Sequence, residues 1–183
     1  MKVLSVAIMV LLGITSCAKK TFNFTLKDYR TVEGIQIGMP IKEAIKVLDK
    51  KFKVEKKKIT ILDDEPESVE YLVTSSTKGI LFSFNAGHQR IDNNKVFRIV
   101  IKSPIYITPE GIKVGMTVKE LKTKTSIKSA DFNFQDGLFL SSPTFDGGFW
   151  IDQDNKKNYK FNYDKPYIKD IPLELKIKGI VIF

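Results

Sequence analysis

One cysteine, one histidine and one tryptophan are all that 183 residues supply of three chemistry-bearing side chains. A single thiol closes no disulfide within the chain and builds no cysteine-rich zinc site. The single histidine, His88, lies in Asn85-Ala86-Gly87-His88-Gln89-Arg90, a stretch that reads as a hairpin turn with no partner residue in motif spacing. It therefore gives no basis for a histidine general base or metal centre. Ser75, Ser76, Ser141 and Ser142 have no nucleophile-elbow context. Asp152-Gln153-Asp154-Asn155 opens like a calcium loop, but Lys157 holds the sixth position, where that loop needs glycine. No catalytic residue, metal or cofactor is expected.

Long apolar runs are also missing, apart from Val3 to Leu12. Met1-Lys2 precedes that run and Gly13-Ile14-Thr15-Ser16-Cys17 follows it, which is the pattern of a secretory leader. A run of this length is too short to cross a hydrocarbon core of roughly 30 Å. The Ile14-Thr15-Ser16-Cys17 tetrad resembles a bacterial lipobox, which implies that residues 1–16 are removed and Cys17 is lipidated. Residues 17–28 then form a tether, and acyl chains hold the protein on a membrane at about 0.8 kcal/mol for each buried CH₂. Ala18 is not the aspartate associated with inner-membrane retention, so the outer membrane is the expected address within the cell envelope.

Charge is lopsided, with 30 Lys and Arg against 21 Asp and Glu, and only Lys2 leaves with the leader. An excess of this sign attracts polyanions or anionic lipid. The lysines are scattered in ones to threes and the address is extracytoplasmic, so nucleic acid is not an expected partner. The acidic run Asp63-Asp64-Glu65-Pro66-Glu67 reads as a solvated loop.

What the chain does contain is a repeat. YRTVEGIQIGMPIKEA at 29–44 returns as YITPEGIKVGMTVKEL at 106–121, with nine of sixteen positions identical at a constant offset of 77 residues. Such self-similarity marks a duplicated structural unit. Gly34-Ile35-Gln36-Ile37 and Gly111-Ile112-Lys113-Val114 read as short extended segments, and Gly38 and Gly115 as tight turns that a side chain would crowd. A helix follows each. Thr117 with Glu120 has capping-box spacing, while Pro40 occupies the equivalent slot of the first copy. Ile41, Ala44, Ile45, Leu48 and Phe52 fall on one helical face, whereas the second helix, with Val118 and Leu121, should span about two turns.

Strands are expected at 69–73, 80–84, 96–101, 138–140, 149–151, 159–163 and 175–183. Turn formers separate them, among them Asn85-Ala86-Gly87 and Asp146-Gly147-Gly148. The expected fold is α+β: two tandem helix-plus-antiparallel-meander units, at 29–105 and 106–183, arranged as a two-layer α/β sandwich.

The aliphatic pair, Gly-Met and following amphipathic helix resemble the BamE and β-lactamase-inhibitor-protein type of repeat. They are also similar to tandem-repeat lipoproteins and exported proteins of Bacteroidetes-like bacteria. The resemblance implies that the motif is structural and that partners meet variable loops or an open sheet face. No functional residue is carried over by match.

Tyr159, Phe161 and Tyr163 share one face of an expected strand, and with Trp150 they form the candidate binding set; Phe149 and Tyr167 extend this aromatic group. The function expected is that of a non-enzymatic, membrane-tethered envelope lipoprotein that binds or scaffolds an envelope protein or polymer. An inhibitor of a periplasmic or extracellular hydrolase is the alternative, since the similar inhibitor fold blocks its enzyme with loops and a concave sheet. The third reading, a carboxylate-only glycosidase, requires two acidic groups about 5 to 10 Å apart in a cleft.

Overall fold

The computed structural model describes residues 24–26, 28–59, 68–86, 94–133, 137–152 and 166–183. Cys17, the 63–67 acidic run, His88 and Tyr159, Phe161 and Tyr163 lie outside these residues. Each copy of the repeat starts a helix, α1 (Ile41–Leu48) and α2 (Val118–Lys124). Pro40 stands at the N-cap of α1. At α2 the Thr117 hydroxyl accepts from the Glu120 N–H at 3.2 Å, and the Glu120 carboxylate accepts from the Thr117 N–H at 2.7 Å. The capping box thus satisfies two otherwise orphaned donors. Ile41, Ala44 and Leu48 of α1 and Val118 and Leu121 of α2 are buried.

The Gly-Met pair acts as a backbone clip. The Gly38 N–H donates to the Val96 carbonyl (2.7 Å), the Val96 N–H returns to Met39 (2.8 Å), and the Ile41 N–H donates to Asn94 (2.7 Å). The second copy repeats the set through Gly115 to Ile177, Ile177 to Met116, and Val118 to Leu175, at 2.8, 2.8 and 2.7 Å. Both glycines are left-handed, at φ +84° and +90°, and a Cβ at either would meet nothing within 4 Å. The torsion, not the crowding read from the sequence, is what requires glycine here.

Twelve strands are found among the described residues: β1 (Phe24–Thr25), β2 (Thr31–Val32), β3 (Ile35–Gln36), β4 (Lys53–Ile59), β5 (Ser68–Ser75), β6 (Gly79–Ala86), β7 (Val96–Ile101), β8 (Tyr106–Ile107), β9 (Ser129–Asn133), β10 (Gly137–Ser141), β11 (Gly147–Asp152) and β12 (Lys176–Ile182). Eight of them form one sheet in the order β4-β5-β6-β7-β12-β11-β10-β9, antiparallel throughout. This overturns the expected two-layer α/β sandwich of two helix-plus-meander units. The described residues are predominantly antiparallel β, the two α-helices among them, of eight and seven residues, are too short to make a layer, and β7 pairs with β12 to fuse the halves into a continuous sheet. Asn85-Ala86 and Gly147-Gly148 are corrected too, from turn to strand. The edge strands β4 and β9 were not expected.

Register separates the two faces of the sheet. Val73, Phe82, Ile101, Ile180, Phe149 and Leu140 follow one another across neighbouring strands and belong to the core cluster, together with the helix residues and Val32 and Ile35 of the β2–β3 hairpin. The helices therefore pack on this inner face. The repeat also ties the halves crosswise. The Tyr29 hydroxyl donates to Glu110, and the Tyr106 hydroxyl donates to Glu33 at 3.1 Å. Tyr29 stacks on Phe145 of the second half at 4.1 Å, while Tyr106 meets Phe82 of the first edge-on at 6.2 Å. Tyr106 is buried, and this burial, with the adjacent Glu33 charge and hydrogen bond, pushes its phenol far above the usual range, so it stays a donor.

Gly38→Val and Gly115→Val should each cost on the order of 1 to 3 kcal/mol, because valine must adopt a left-handed torsion that the clip imposes. Chemical denaturation measures this, and unchanged midpoints in both variants would contradict the torsional account.

Candidate functional site

The opposite, outer face of the sheet is organised by a cross-strand row of small and apolar residues. Register aligns Leu72, Ser83, Val100, Val181, Gly148, Ser141 and Ser129 across seven strands, and the charged Glu55 ends the row on the edge strand β4. Leu72, Val100 and Val181 are buried yet stand outside the core cluster, as their position on the outer face requires. Aromatic rings lean over this floor. A Cβ built on Gly179 would lie 3.6 Å from the Trp150 ring and 3.2 Å from Val100, and one on Gly148 would lie 2.8 Å from the tip of Phe139. Gly148 thus leaves room for the Leu140 carbonyl and for Phe139, the direct register partner of Trp150, whose own ring lies at ordinary contact distance from a Cβ on Gly179.

Two bulges add side chains to the same face. Pairing moves from Asn85↔Arg98 to Ala86↔Val96, so Phe97 is an extra residue on β7; it moves from Trp150↔Gly179 to Ile151↔Ile177, so Lys178 is extra on β12. Bulges re-aim side chains in this way beside functional sites. Phe97 is 40% exposed and meets Phe183 edge-on at 6.0 Å, and Phe183 meets Phe139 at 6.5 Å. Arg98 and Lys178 stand over Trp150, with their charged groups 5.2 and 6.0 Å from the ring centre. At such distances the ring quadrupole attracts both cations.

The neighbouring strands contribute polar groups. Asn85 lies between Glu70 and Arg98 in register. It is only 3% exposed, and among the described residues neither atom of its side-chain amide has a hydrogen-bond partner. Burying an amide unpaired opposes folding, and sites of this kind are expected where a structure serves something besides stability. Lys102 donates to Glu70 at 2.8 Å. Burial works against the Glu70 carboxylate, but that hydrogen bond, the Ser83 hydroxyl and the Lys102 and Arg98 charges outweigh it and hold the carboxyl below its ordinary range. The Ser83 hydroxyl faces Glu70 without completing a hydrogen bond of normal geometry.

Of the aromatic set read from sequence, only some members come together. Trp150 is half-buried on the outer face, Phe149 is wholly buried in the core, and Tyr167 is 58% exposed beyond β11. Sequence reading missed Phe97, Arg98, Phe139 and Lys178, whose convergence depends on non-local pairing and bulges, and it took Asn85 for a turn former. Among the described residues no group of three or more His, Cys, Asp and Glu side chains is placed to hold a metal ion. No helix among them is long and apolar enough to cross a membrane.

No family model matches the chain, and the curated proteins contain no match. In fold the chain is similar to the crystal structure of the uncharacterized protein yfeY from Escherichia coli, with a TM-score of 0.58 at 12% identity over 87% of this chain and 98% of that one. The likeness concerns fold alone, and it points neither toward enzymatic activity nor against it.

A depressed carboxyl pKa stabilises the folded state above the unfolded value, near 4.5, and that contribution is lost as pH falls through the folded value. Carbon-detected NMR titration should therefore find Glu70 below 4.5 and find it raised in Lys102→Met, which should also show a shallower loss of stability in acid. An identical Glu70 titration in the two proteins would contradict this arrangement.

Proposed function

We propose that the chain is a non-enzymatic lipoprotein of the bacterial cell envelope with BamE-like and β-lactamase-inhibitor-protein-like repeats, a binding or scaffolding module held on the outer membrane through acylated Cys17. Its partner is an envelope protein or envelope polymer, and the outer face of the eight-stranded sheet receives it. The observation that carries this reading is the aromatic and cationic cluster on that face. Phe97, Phe139, Trp150 and Phe183 gather around two bulges, while the helices take up the other face. Aromatic and arginine side chains gathered in this way are the usual anchors of an interface. The Ile14-Thr15-Ser16-Cys17 tetrad supports the address.

Two measurements test the reading. Mass spectrometry of the mature protein should find an acyl-modified Cys17 at the N-terminus, and Cys17→Ala should stay uncleaved or become soluble; an unmodified wild-type cysteine would remove the address. Phe149 and Trp150 are neighbours on opposite faces, so their alanine variants should behave differently. Phe149→Ala should lose about 3 to 5 kcal/mol of stability. Trp150→Ala combined with Phe97→Ala should lose far less, yet retain at least tenfold less envelope partner in pull-down. Undiminished retention by the double variant would contradict the assignment of the outer face.

A further inference from the structure

We infer that the body rests on the bilayer by one end of its sheet, the end with the β5–β6 turn, and that Ile80 and Leu173 enter the headgroup region of an anionic phospholipid leaflet there. This rests on the lipid-anchored reading above and adds the orientation of the anchored body. The observation that carries it is the short stretch of chain between anchor and fold. β1 runs parallel to β8, with Phe24 opposite Tyr106; the Leu26 N–H donates to Ile107 at 3.0 Å, and Leu26 is buried. The chain is therefore fixed to the body from Phe24, seven residue steps after Cys17. Seven steps reach at most about 25 Å, whatever their conformation.

Strand direction selects the end. In a parallel pair, the chain before Phe24 arrives from the side of the residues before Tyr106. Those residues lie at the β5–β6 end of the sheet: the Lys102 and Ser103 N–H groups both donate to the Leu81 carbonyl at 3.0 Å, and the Tyr106 N–H donates to Ser103 at 3.5 Å. Register puts the starts of β4 and β12 at this end too. Lys53 faces Thr74, Thr74 faces Ile80, and Ile101 lies between Phe82 and Ile180. An eight-residue strand such as β6 is about 27 Å long, so the opposite end of the sheet lies beyond the reach of the anchor.

The surface displayed at this end fits lipid. Four large apolar side chains are exposed among the described residues, and two of them are here, Ile80 on β6 at 48% and Leu173 just before β12 at 46%. Residues 76–79 and Pro104 are exposed beside them. Apolar groups that project from an anchored body gain by entering the membrane interface. Lys50 and Lys51, exposed between α1 and β4, and Lys19 and Lys20, close after Cys17 in the sequence, add the charge that an anionic leaflet attracts. Phe97 stands near the start of β7, at the other end, so the aromatic cluster of the outer face stays clear of lipid and open to a partner.

Cys17 is the only cysteine, so in the acylated protein an introduced thiol is the one free thiol. Ser76→Cys, in the β5–β6 turn, and Asp146→Cys, in the β10–β11 turn at the opposite end, are both at exposed positions. Each full-length acylated variant would carry a fluorophore on that thiol and be reconstituted on vesicles of phosphatidylethanolamine and phosphatidylglycerol that contain a headgroup-spin-labelled lipid. The expected result is quenching at least threefold greater at position 76 than at position 146. Ile80→Asp combined with Leu173→Asp should cut that ratio at least twofold while the protein still floats with the vesicles, because its acyl chains remain. If the double variant does not fold, Ile80→Asp alone carries this arm. Equal quenching at the two positions, greater quenching at 146, or a ratio unchanged by the aspartates would overturn the inference; where the protein is acylated and floats with the vesicles, the anchored-module reading stands. Protein that carries no acyl chain and does not float would overturn both.

Discussion

The hydroxyl of each repeat's tyrosine is accepted by the glutamate of the other repeat, Tyr29 by Glu110 and Tyr106 by Glu33, and the arrangement of the sheet follows from that exchange. A duplicated segment could have been satisfied within its own half. Here each copy instead anchors its aromatic residue in the opposite half, with Tyr29 against Phe145 and Tyr106 against Phe82. Burial of Tyr106 beside a carboxylate makes the exchange costly to break, because an unpaired phenol or carboxylate in that position loses its solvation without compensation. The Gly-Met clips then fix each helix to the start of β7 or β12, the two strands that meet at the centre.

Joining the halves through β7 and β12 puts the seam in the middle of the sheet, and the candidate site lies over that seam. Asn85 and Arg98 come from the first half, Trp150 and Lys178 from the second. Neither half holds the cluster alone. Central strands must bury both faces, which is why Ile99, Val100 and Ile101 and Ile180, Val181 and Ile182 are buried in succession. Helices cover the inner face; on the outer face, aromatic and long charged side chains share the task with small residues beneath them. That covering keeps Val100 and Val181 dry and at the same time presents rings and cations outward, with the Asn85 amide buried beside them.

Much of this was readable from local chemistry. Glycine torsions, the Thr117 capping box and the apolar stripe of Ile41, Ala44 and Leu48 depend on neighbours within a few residues, and the sequence states them directly. The single sheet was harder, because the β7–β12 pairing joins segments about 80 residues apart through only three residue pairs. A sign of it existed: FRIVI and GIVIF are apolar at consecutive positions, as strands buried on both faces are. The edge strands escaped notice for the opposite reason. In β4, Lys53, Lys56, Lys57 and Lys58 surround Glu55 in a pattern with no apolar alternation, which also guards an open edge against pairing with other chains. Of the site, Trp150 was legible as an aromatic candidate, whereas Phe97 and Lys178 reach the outer face through bulges that no local pattern announces.

The central claim is that crosswise anchoring makes the two repeats one cooperative body with a site over the seam. Calorimetric unfolding of the purified protein tests it most directly. The account predicts a single transition whose calorimetric and van't Hoff enthalpies agree. Two resolved transitions, one for each half, would contradict it.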